Sequence, residues 1–457
     1  MEQFDVFIIG AGACGSEIAL RLAGAGAGRI GLAERDRVGG ECANYACDPT
    51  KAMLHSAKLA AQARRAGRFG VRIPEVEVDF QAVRARVREV VEGGSGQGTG
   101  PFEAAGITVI PEDVRLVGPR TLETAAGGRI VAGRIVLAVG SEPVAPPIPG
   151  LDGSPFWTNR EAVWSAREVP ASLAVLGAGP IGIEFAQIYA RFGSRVTILE
   201  AAERLLPDED SDTAAALLPA LEQDGITVRA GATASRVERL PGDSWRVELE
   251  DGTQLRAEEL LVAAGREPRL DGHDLDAAGV WVRWGRPFLD ENLRTTTPGI
   301  WVAGDATGEL LFTHVADYEA KVVAADILGR PIARDYRVVP RVTYCDPEVA
   351  SVGVTEEEAA QAGYEVVTAT AELSANERAR ITGETRGLVK LVADARSGEL
   401  LGGHVVADGA GELIGEIVTV MVGRLPATTP ADAIHPYPTL SESVKAAFTQ
   451  LVERLAP

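Results

Sequence analysis

Two stretches of this chain carry the same five-part pattern, and no other feature restricts its fold so tightly. In the first, an apolar strand VFIIG (6–10) leads into the turn GAGACG (10–15), then a small-residue helix to about Leu22. A second apolar strand, RIGLAE (29–34), follows and ends in an acid. In the second stretch, LAVLG (173–177) leads into GAGPIG (177–182), a helix to about Phe192, and RVTILE (195–200), again ending in an acid. Each has the length, roughly 30 residues, of a strand–helix–strand unit with parallel strands. The repetition is one of architecture, so it predicts two α/β lobes and not a solenoid.

Gly10, Gly12 and Gly15 fit the pattern G-x-G-x-x-G, as do Gly177, Gly179 and Gly182. The first glycine of each set permits a tight turn, the second lets the backbone approach a pyrophosphate, and the third lets the helix pack close on the strand. The helix N-terminus adds unpaired N–H groups and a positive dipole end. Glu34 is placed to accept from ribose hydroxyls. Glu200 is placed to accept from a ribose 2′-OH and to repel a 2′-phosphate, which favours NADH over NADPH. The bland alternative for Glu200 is a solvated strand-end charge. Two dinucleotide sites in one chain point to hydride transfer between them.

The segment GGECANYACDPTK (39–51) follows directly on the first unit and sets Cys42 and Cys47, with four residues between them, at the head of an expected helix over 50–66. The helix dipole there favours thiolate, and the spacing permits a disulfide. A structural disulfide is the alternative, and zinc is disfavoured because a second ligand pair at metal spacing is missing. Cys14 and Cys345 are expected to be unreactive. The 92–101 stretch EGGSGQGTGP reads as a loop, and IVLAVGSEPVAPPIPG (135–150) as a buried strand with a proline-rich exit from the first lobe. After about residue 335 alternating strands and late helices predict a separate α+β domain.

With 457 residues the chain is too long for one core. Its formal charge of -20 argues against nucleic acid and anionic membranes as partners. No apolar run reaches the roughly 18 residues needed to span a bilayer. The N-terminus lacks a basic stretch and a cleavage site, so the expectation is a cytoplasmic protein.

Together the two glycine units, the CxxxxCxPxK segment, AGREP (264–268), AGDAT (303–307), CDPEVASVGVTEEEA (345–359) and PTLSE (438–442) resemble the class I pyridine nucleotide-disulfide oxidoreductases. That family includes dihydrolipoamide dehydrogenase, glutathione reductase and mercuric reductase, and the similarity spans essentially the whole chain. The resemblance implies an α/β fold with two Rossmann-like dinucleotide-binding domains and a C-terminal α+β dimerisation domain. FAD would be bound by residues 1–150 and 271–335, NADH (NADPH less readily) by 151–270, and 336–457 would form a homodimer interface. It implies that Cys42 is the thiol that meets substrate and that Cys47 lies against the flavin. Lys51 would sit near the flavin ring and pair with Glu184, for which a merely solvated helix position is the alternative. Asp305 would hold the ribityl and phosphate region, with Gly140 and Gly265 at the domain crossings. The partner subunit's PTLSE segment would complete the active site.

One departure bears on the substrate. Dihydrolipoamide dehydrogenases and glutathione reductases are similar in placing a histidine five residues before a glutamate as the acid–base dyad. Here Glu442 is preceded at that distance by Tyr437, and His435 lies two residues too early. Histidine titrates near ~6.5 and tyrosine near ~10, so tyrosine is a poor base at neutral pH. Mercuric reductases are similar in having tyrosine here, and a soft metal held by thiolates needs no such base. The vicinal cysteines that usually end those enzymes are missing after Cys345. His435 serving as base, or Tyr437 as mere packing, are the alternatives. The expectation is reduction of a small disulfide, dithiol partner or thiol-bound metal such as Hg(II). Dihydrolipoyl dehydrogenase, a transhydrogenase or diaphorase, and a redox sensor are the rivals. No resident metal is expected.

Overall fold

A computed structural model describes residues 2–94 and 98–456, in two compact units. The first comprises the residues up to Ala52, Gln81–Val144 and Gly265–Asp335; the second comprises Met53–Phe80, Ala145–Ala264 and the residues from Tyr336 onward.

In the first unit the opening strand, Glu2–Ile9, begins earlier than its apolar run, because Glu2 pairs with Ile130 of a long neighbouring strand. It lies parallel between Ile30–Ala33 and Arg129–Leu137 in a seven-stranded sheet. Alternation along it feeds two cores. Val6 and Ile8 pack with the helices Ala13–Gly24 and Thr313–Ile327, whereas Phe7 and Ile9 pack with Leu116, Leu122 and Leu275 on the opposite face. Burial on both faces explains why the strand reads as an unbroken apolar run. The expected helix over 50–66 runs Cys47–Arg65, so it begins at the second cysteine. In the glycine-rich stretch, one helix ends at Gly93 and another covers Gly100–Ala104, and part of the expected loop (95–97) lies outside the described residues.

The second unit repeats the parallel arrangement on a smaller scale, in the order Thr227–Arg229, Arg195–Leu199, Ser172–Leu176, Glu259–Val262. A three-stranded antiparallel sheet with Trp245 fully buried packs on it. The α+β segment forms a five-stranded antiparallel sheet, in the order Pro340–Thr343, Glu348–Gly353, Leu400–Ala407, Leu388–Asp394, Val366–Glu372. The helices Ala410–Gly423 and Ser441–Leu455 cover one of its faces through Ile414, Ile417, Val444 and Phe448. Among the described residues no helix is long and apolar enough to cross a membrane.

Arg191, on the helix Pro180–Phe192, is 4% exposed and ties this sheet to the parallel one. Its guanidinium meets Asp224 at 2.8 Å and Asp346 at 2.9 Å. Gln187 receives the Asp346 N–H at 2.7 Å and donates to the Asp346 carbonyl at 2.9 Å. Burial pushes the Asp346 carboxyl up, but Arg191, Lys58 and Arg65 outweigh it and hold the group below the ordinary carboxylate range. Asp346→Asn should therefore lower stability by about 2 to 3 kcal/mol near neutral pH, Asp224 remaining as a partner for Arg191. A depressed carboxylate contributes fully above its unfolded pKa and loses that contribution as the pH falls through the folded value. The stabilities of wild type and variant should thus converge below about pH 4. Urea unfolding of both proteins between pH 3 and 7 measures this; a pH-independent difference would contradict it.

Candidate active site

The two glycine turns are built alike. Gly10 and Gly177 take left-handed φ values of +99° and +106°, and a Cβ on either would lie 2.3 Å from the Ala138 carbonyl oxygen or 2.4 Å from that of Ala263. A Cβ on Gly15 or Gly182 would strike the carbonyl oxygen of the first glycine of its own set, at 1.9 Å and 2.1 Å. The middle glycines differ: Gly179 meets nothing within 4 Å, and Gly12 meets only the Gly40 Cα, at 3.9 Å. The protein's own packing does not demand glycine there, and the space in front of each is open. Both helices start at that middle glycine without a side-chain cap and with no acid in the first turn, leaving N–H groups for an anion.

The strand-end acids are fixed by backbone. Glu34 accepts from the N–H of Ala11 at 2.9 Å and of Asp36 at 2.8 Å. Glu200 accepts from the N–H of Ala178 at 2.7 Å and of Ala202 at 2.8 Å. Each carboxylate keeps lone pairs for ribose hydroxyls, and Glu200 is not a merely solvated charge. Both turns fit an adenine dinucleotide.

Gly40 packs so close on the first turn that a Cβ would lie 2.7 Å from the Gly12 Cα. From there the short helix Gly40–Tyr45 carries Cys42, and the next helix begins at Cys47. All four cysteines are free thiols. The hydroxyl of Thr313 donates to the Cys42 sulfur at 3.1 Å and lies 3.6 Å from the Cys47 sulfur. The expectation that helix dipoles favour thiolate needs correction at Cys42. Its hydrogen bond with Cys47 and then its burial raise its pKa, outweighing the Thr313 bond. Burial, and next the Glu319 and Glu184 carboxylates respectively, push the Cys14 and Cys345 thiols well up. Thr313 went unforeseen, since nothing local in the sequence connects it to residues this distant.

Asp305 lies in the turn Gly304–Thr307, where it accepts from the Ser141 hydroxyl at 2.6 Å. Arg266 donates to the Ser141 hydroxyl and carbonyl, both at 2.9 Å, and approaches Glu41 at 3.8 Å. Burial raises the Asp305 carboxyl, opposed by Ser141 and Arg266. Gly140 and Gly265 precede the paired strands Ser141–Pro143 and Arg266–Pro268 that present this network. Ser141 and Arg266 were legible only as part of their motifs. Lys51 stands in the first turns of the helix Cys47–Arg65.

In the second unit Glu184 is 3% exposed and accepts from the Tyr344 N–H at 2.9 Å, so it is not a solvated helix position. Tyr437 is 74% exposed. Glu442, in the first turn of its helix, accepts from the Thr439 N–H at 3.1 Å. His435 sets Nε2 against Glu416 at 3.0 Å and Nδ1 against the Ala433 carbonyl at 3.2 Å, so its carboxylate partner is not Glu442. Among the described residues no group of three or more His, Cys, Asp or Glu could hold a metal ion.

Residues 4–320 match the model of the pyridine nucleotide-disulphide oxidoreductases, and residues 339–448 that of the dimerisation domain of the same family. A dihydrolipoyl dehydrogenase from Chlorobaculum tepidum is 38% identical over 98% of this chain and 97% of its own. A mercuric reductase from Bacillus cereus is 34% identical over 97% of this chain and 71% of its own. Among solved structures, the HOCl-induced flavoprotein disulfide reductase RclA from Escherichia coli superposes with a TM-score of 0.88. It is 31% identical, over 98% of this chain and 99% of that one.

If the adjacent thiols are a redox pair and the buried ones bystanders, alkylation in denaturant should label two cysteines of the oxidised protein and four after reduction by a nicotinamide nucleotide. Peptide mass spectrometry should assign the difference to Cys42 and Cys47. Four labelled cysteines in both states would contradict the pairing.

Proposed function

The chain belongs to the pyridine nucleotide-disulphide oxidoreductase family, and on that premise we propose that Cys42 and Cys47 form the reducing centre for a small disulfide or a thiol-bound soft metal ion such as Hg(II). FAD, when bound, supplies the relay of electrons between the nicotinamide and the cysteine pair. The first glycine turn with Glu34 would hold its adenosine half, Asp305 its ribityl and phosphate region, and Lys51, paired with Glu184, would stand near the ring. The FAD domain is assigned to 1–150 and 271–335, the nicotinamide-nucleotide domain to 151–270 and the interface domain to 336–457. The dimerisation-domain match supports a homodimer.

The protein's own part is thiol exchange. The Cys42 sulfur attacks a substrate sulfur or takes the metal ion, and its proton passes to the departing thiolate. With a disulfide, Cys47 then attacks Cys42, closing the protein disulfide and passing its proton to the second departing thiolate. With a metal ion, Cys47 replaces a second ligand thiolate, which takes its proton, and the electrons that reduce the ion would be those FAD supplies when bound. Thr313 orients both sulfurs from one hydroxyl.

The observation that carries the choice of acceptor is the C-terminal segment. Tyr437 stands where the dyad needs an imidazole, and His435 is engaged by Glu416. Removing a general base typically costs about 10²- to 10⁴-fold. Exchange of a soft metal between thiolates is spared that loss. The RclA structures include a Cu(II) complex, which extends the metal reading to copper. The names of several relatives favour the second reading, dihydrolipoyl dehydrogenase.

An NADH-oxidation panel of lipoamide, glutathione disulfide, Hg(II) with excess thiol, Cu(II) and quinones separates them. Dihydrolipoamide turnover should be weak in the wild type and rise in Tyr437→His. Tyr437→Phe should slow metal reduction by about tenfold, the loss of one hydrogen bond to charge. Brisk dihydrolipoamide oxidation that survives Tyr437→Phe and is abolished by His435→Ala would establish the second reading. Quinone reduction that survives Cys42→Ser would mark a diaphorase.

NADH should be preferred over NADPH by at least about tenfold in kcat/KM, the ~1.4 kcal/mol of one charge–phosphate clash. The Glu200 carboxylate is held in place by two N–H groups, and Arg204, a candidate phosphate partner, is engaged with the Pro207 carbonyl at 3.0 Å and with Glu357 at 3.7 Å. Equal use of both nucleotides would contradict this.

A further inference from the structure

The two glycine turns are clamped by one device built in two ways. In the first, the Ala11 N–H donates to Glu34 and the Ala11 carbonyl accepts from the Gly39 N–H at 2.8 Å. In the second, the Ala178 N–H donates to Glu200 and the Ala178 carbonyl accepts from the Leu206 N–H at 3.0 Å. Gly39 takes its φ of +93° without strain. Leu206 sits at +45°, where a branched side chain is disfavoured. A strained residue of this kind persists only when its surroundings over-determine it.

Those surroundings are identifiable. After Leu206, the segment PDEDSD (207–212) lies along a row of residues paired across the five-stranded sheet. Arg341 pairs with Ser351, Ser351 with His404, and His404 with Lys390. Lys390 is 2% exposed and donates to Asp210 at 3.0 Å and Asp212 at 2.7 Å, with Glu356 at 2.8 Å. Arg341 donates to Glu209 at 2.8 Å and to the Asp208 carbonyl at 3.2 Å, and the Ser351 hydroxyl donates to the second oxygen of Glu209. His404 is fully buried and sets Nε2 against the Val354 carbonyl at 3.2 Å. Glu209 closes the path by donating its N–H to the Leu206 carbonyl at 2.9 Å.

We propose that Lys390, Ser351 and Arg341 are positioning residues for the nicotinamide nucleotide. By gripping Glu209 and Asp210 they hold Leu206 in its left-handed conformation, and Leu206 in turn fixes the Ala178 peptide in the turn that receives the nucleotide. The proposal rests on the reading that the GAGPIG turn is the nicotinamide-nucleotide site. Loosening the row releases Leu206 toward ordinary φ values and removes the donor from the Ala178 carbonyl. The effect falls on nucleotide binding and not on the thiol chemistry.

The test is equilibrium binding of NAD⁺ to the holoenzyme by titration calorimetry, alongside kcat and KM for NADH with one acceptor. Lys390→Met should weaken NAD⁺ binding and raise KM about fivefold or more at nearly unchanged kcat, within the range of such indirect couplings. Lys390→Arg should restore most of the affinity. Ser351→Ala, a milder cut, should weaken binding about threefold and carries the test should Lys390→Met fail to fold. NAD⁺ affinity within about twofold of wild type in either folded variant, or a fall in kcat without a change in KM, would overturn the proposal. Gly179→Ala tests the premise separately. If it leaves NAD⁺ binding intact, the assignment of the turn fails and the positioning proposal with it. If it abolishes binding while Lys390→Met and Ser351→Ala do not weaken it, the positioning proposal alone fails.

Discussion

In each half of the duplication, a strand-end carboxylate accepts the N–H of the residue after the first glycine, and much of the site follows from that bond. The bond from Ala11 to Glu34 and its counterpart from Ala178 to Glu200 tie the end of the second strand back to the head of the helix. The first glycine must then pass within contact of the neighbouring strand's backbone, and its positive φ follows. The acid is left with free lone pairs where a ribose would lie. On the proposed assignment of the turns, selection of the nucleotide and shaping of the turn are one interaction. In the second half its strength bears on both, because Glu200 also sets the charge a 2′-phosphate would meet.

The cysteine pair inherits its position from the same clamp. The Gly39 N–H closes on Ala11, Gly40 packs against Gly12, and the next short helix delivers Cys42. A thiol pair carried on a flexible loop would need its own ordering energy. Here that order comes from contacts the glycine turn makes anyway, and Thr313 adds a single hydroxyl between the sulfurs. The hydrogen bond with Cys47, and then burial, push the Cys42 thiol up.

What could be read from the chain alone was local. Glycine spacing, strand-end acids, the cysteine interval and the change of texture after residue 335 are all set by neighbours in sequence, and the structure reproduces the elements they predict. Helix ends shifted by a few residues, as at Cys47, where capping and tertiary contact decide the boundary. A dipole argument applied to both thiols misses the partner thiol and the burial that push Cys42 up. Thr313, the Ser141–Arg266 pair that presents Asp305, and the engagement of His435 by Glu416 depend on register between distant segments. No periodicity in the sequence encodes that register.

The chain's acid excess also looks different once the sheet is assembled. Part of it, Glu209 and Asp210, is matched against Arg341 and Lys390 on a sheet face from which water is largely removed, with Asp212 pairing from its exposed edge. Burial pulls the Lys390 ammonium down, yet its bonds to Asp212, Glu356 and Asp210 raise it overall, so it stays charged. Such buried pairs contribute little net stability, because desolvation offsets most of the attraction. What they do contribute is alignment, since sliding the acidic segment by one residue would put Ser211 in the place of Asp210 or Asp212 opposite the Lys390 ammonium. An apolar contact would tolerate that slip. On our proposal, a segment that holds Leu206 at positive φ against the Ala178 turn cannot, and the polar row resists the slip.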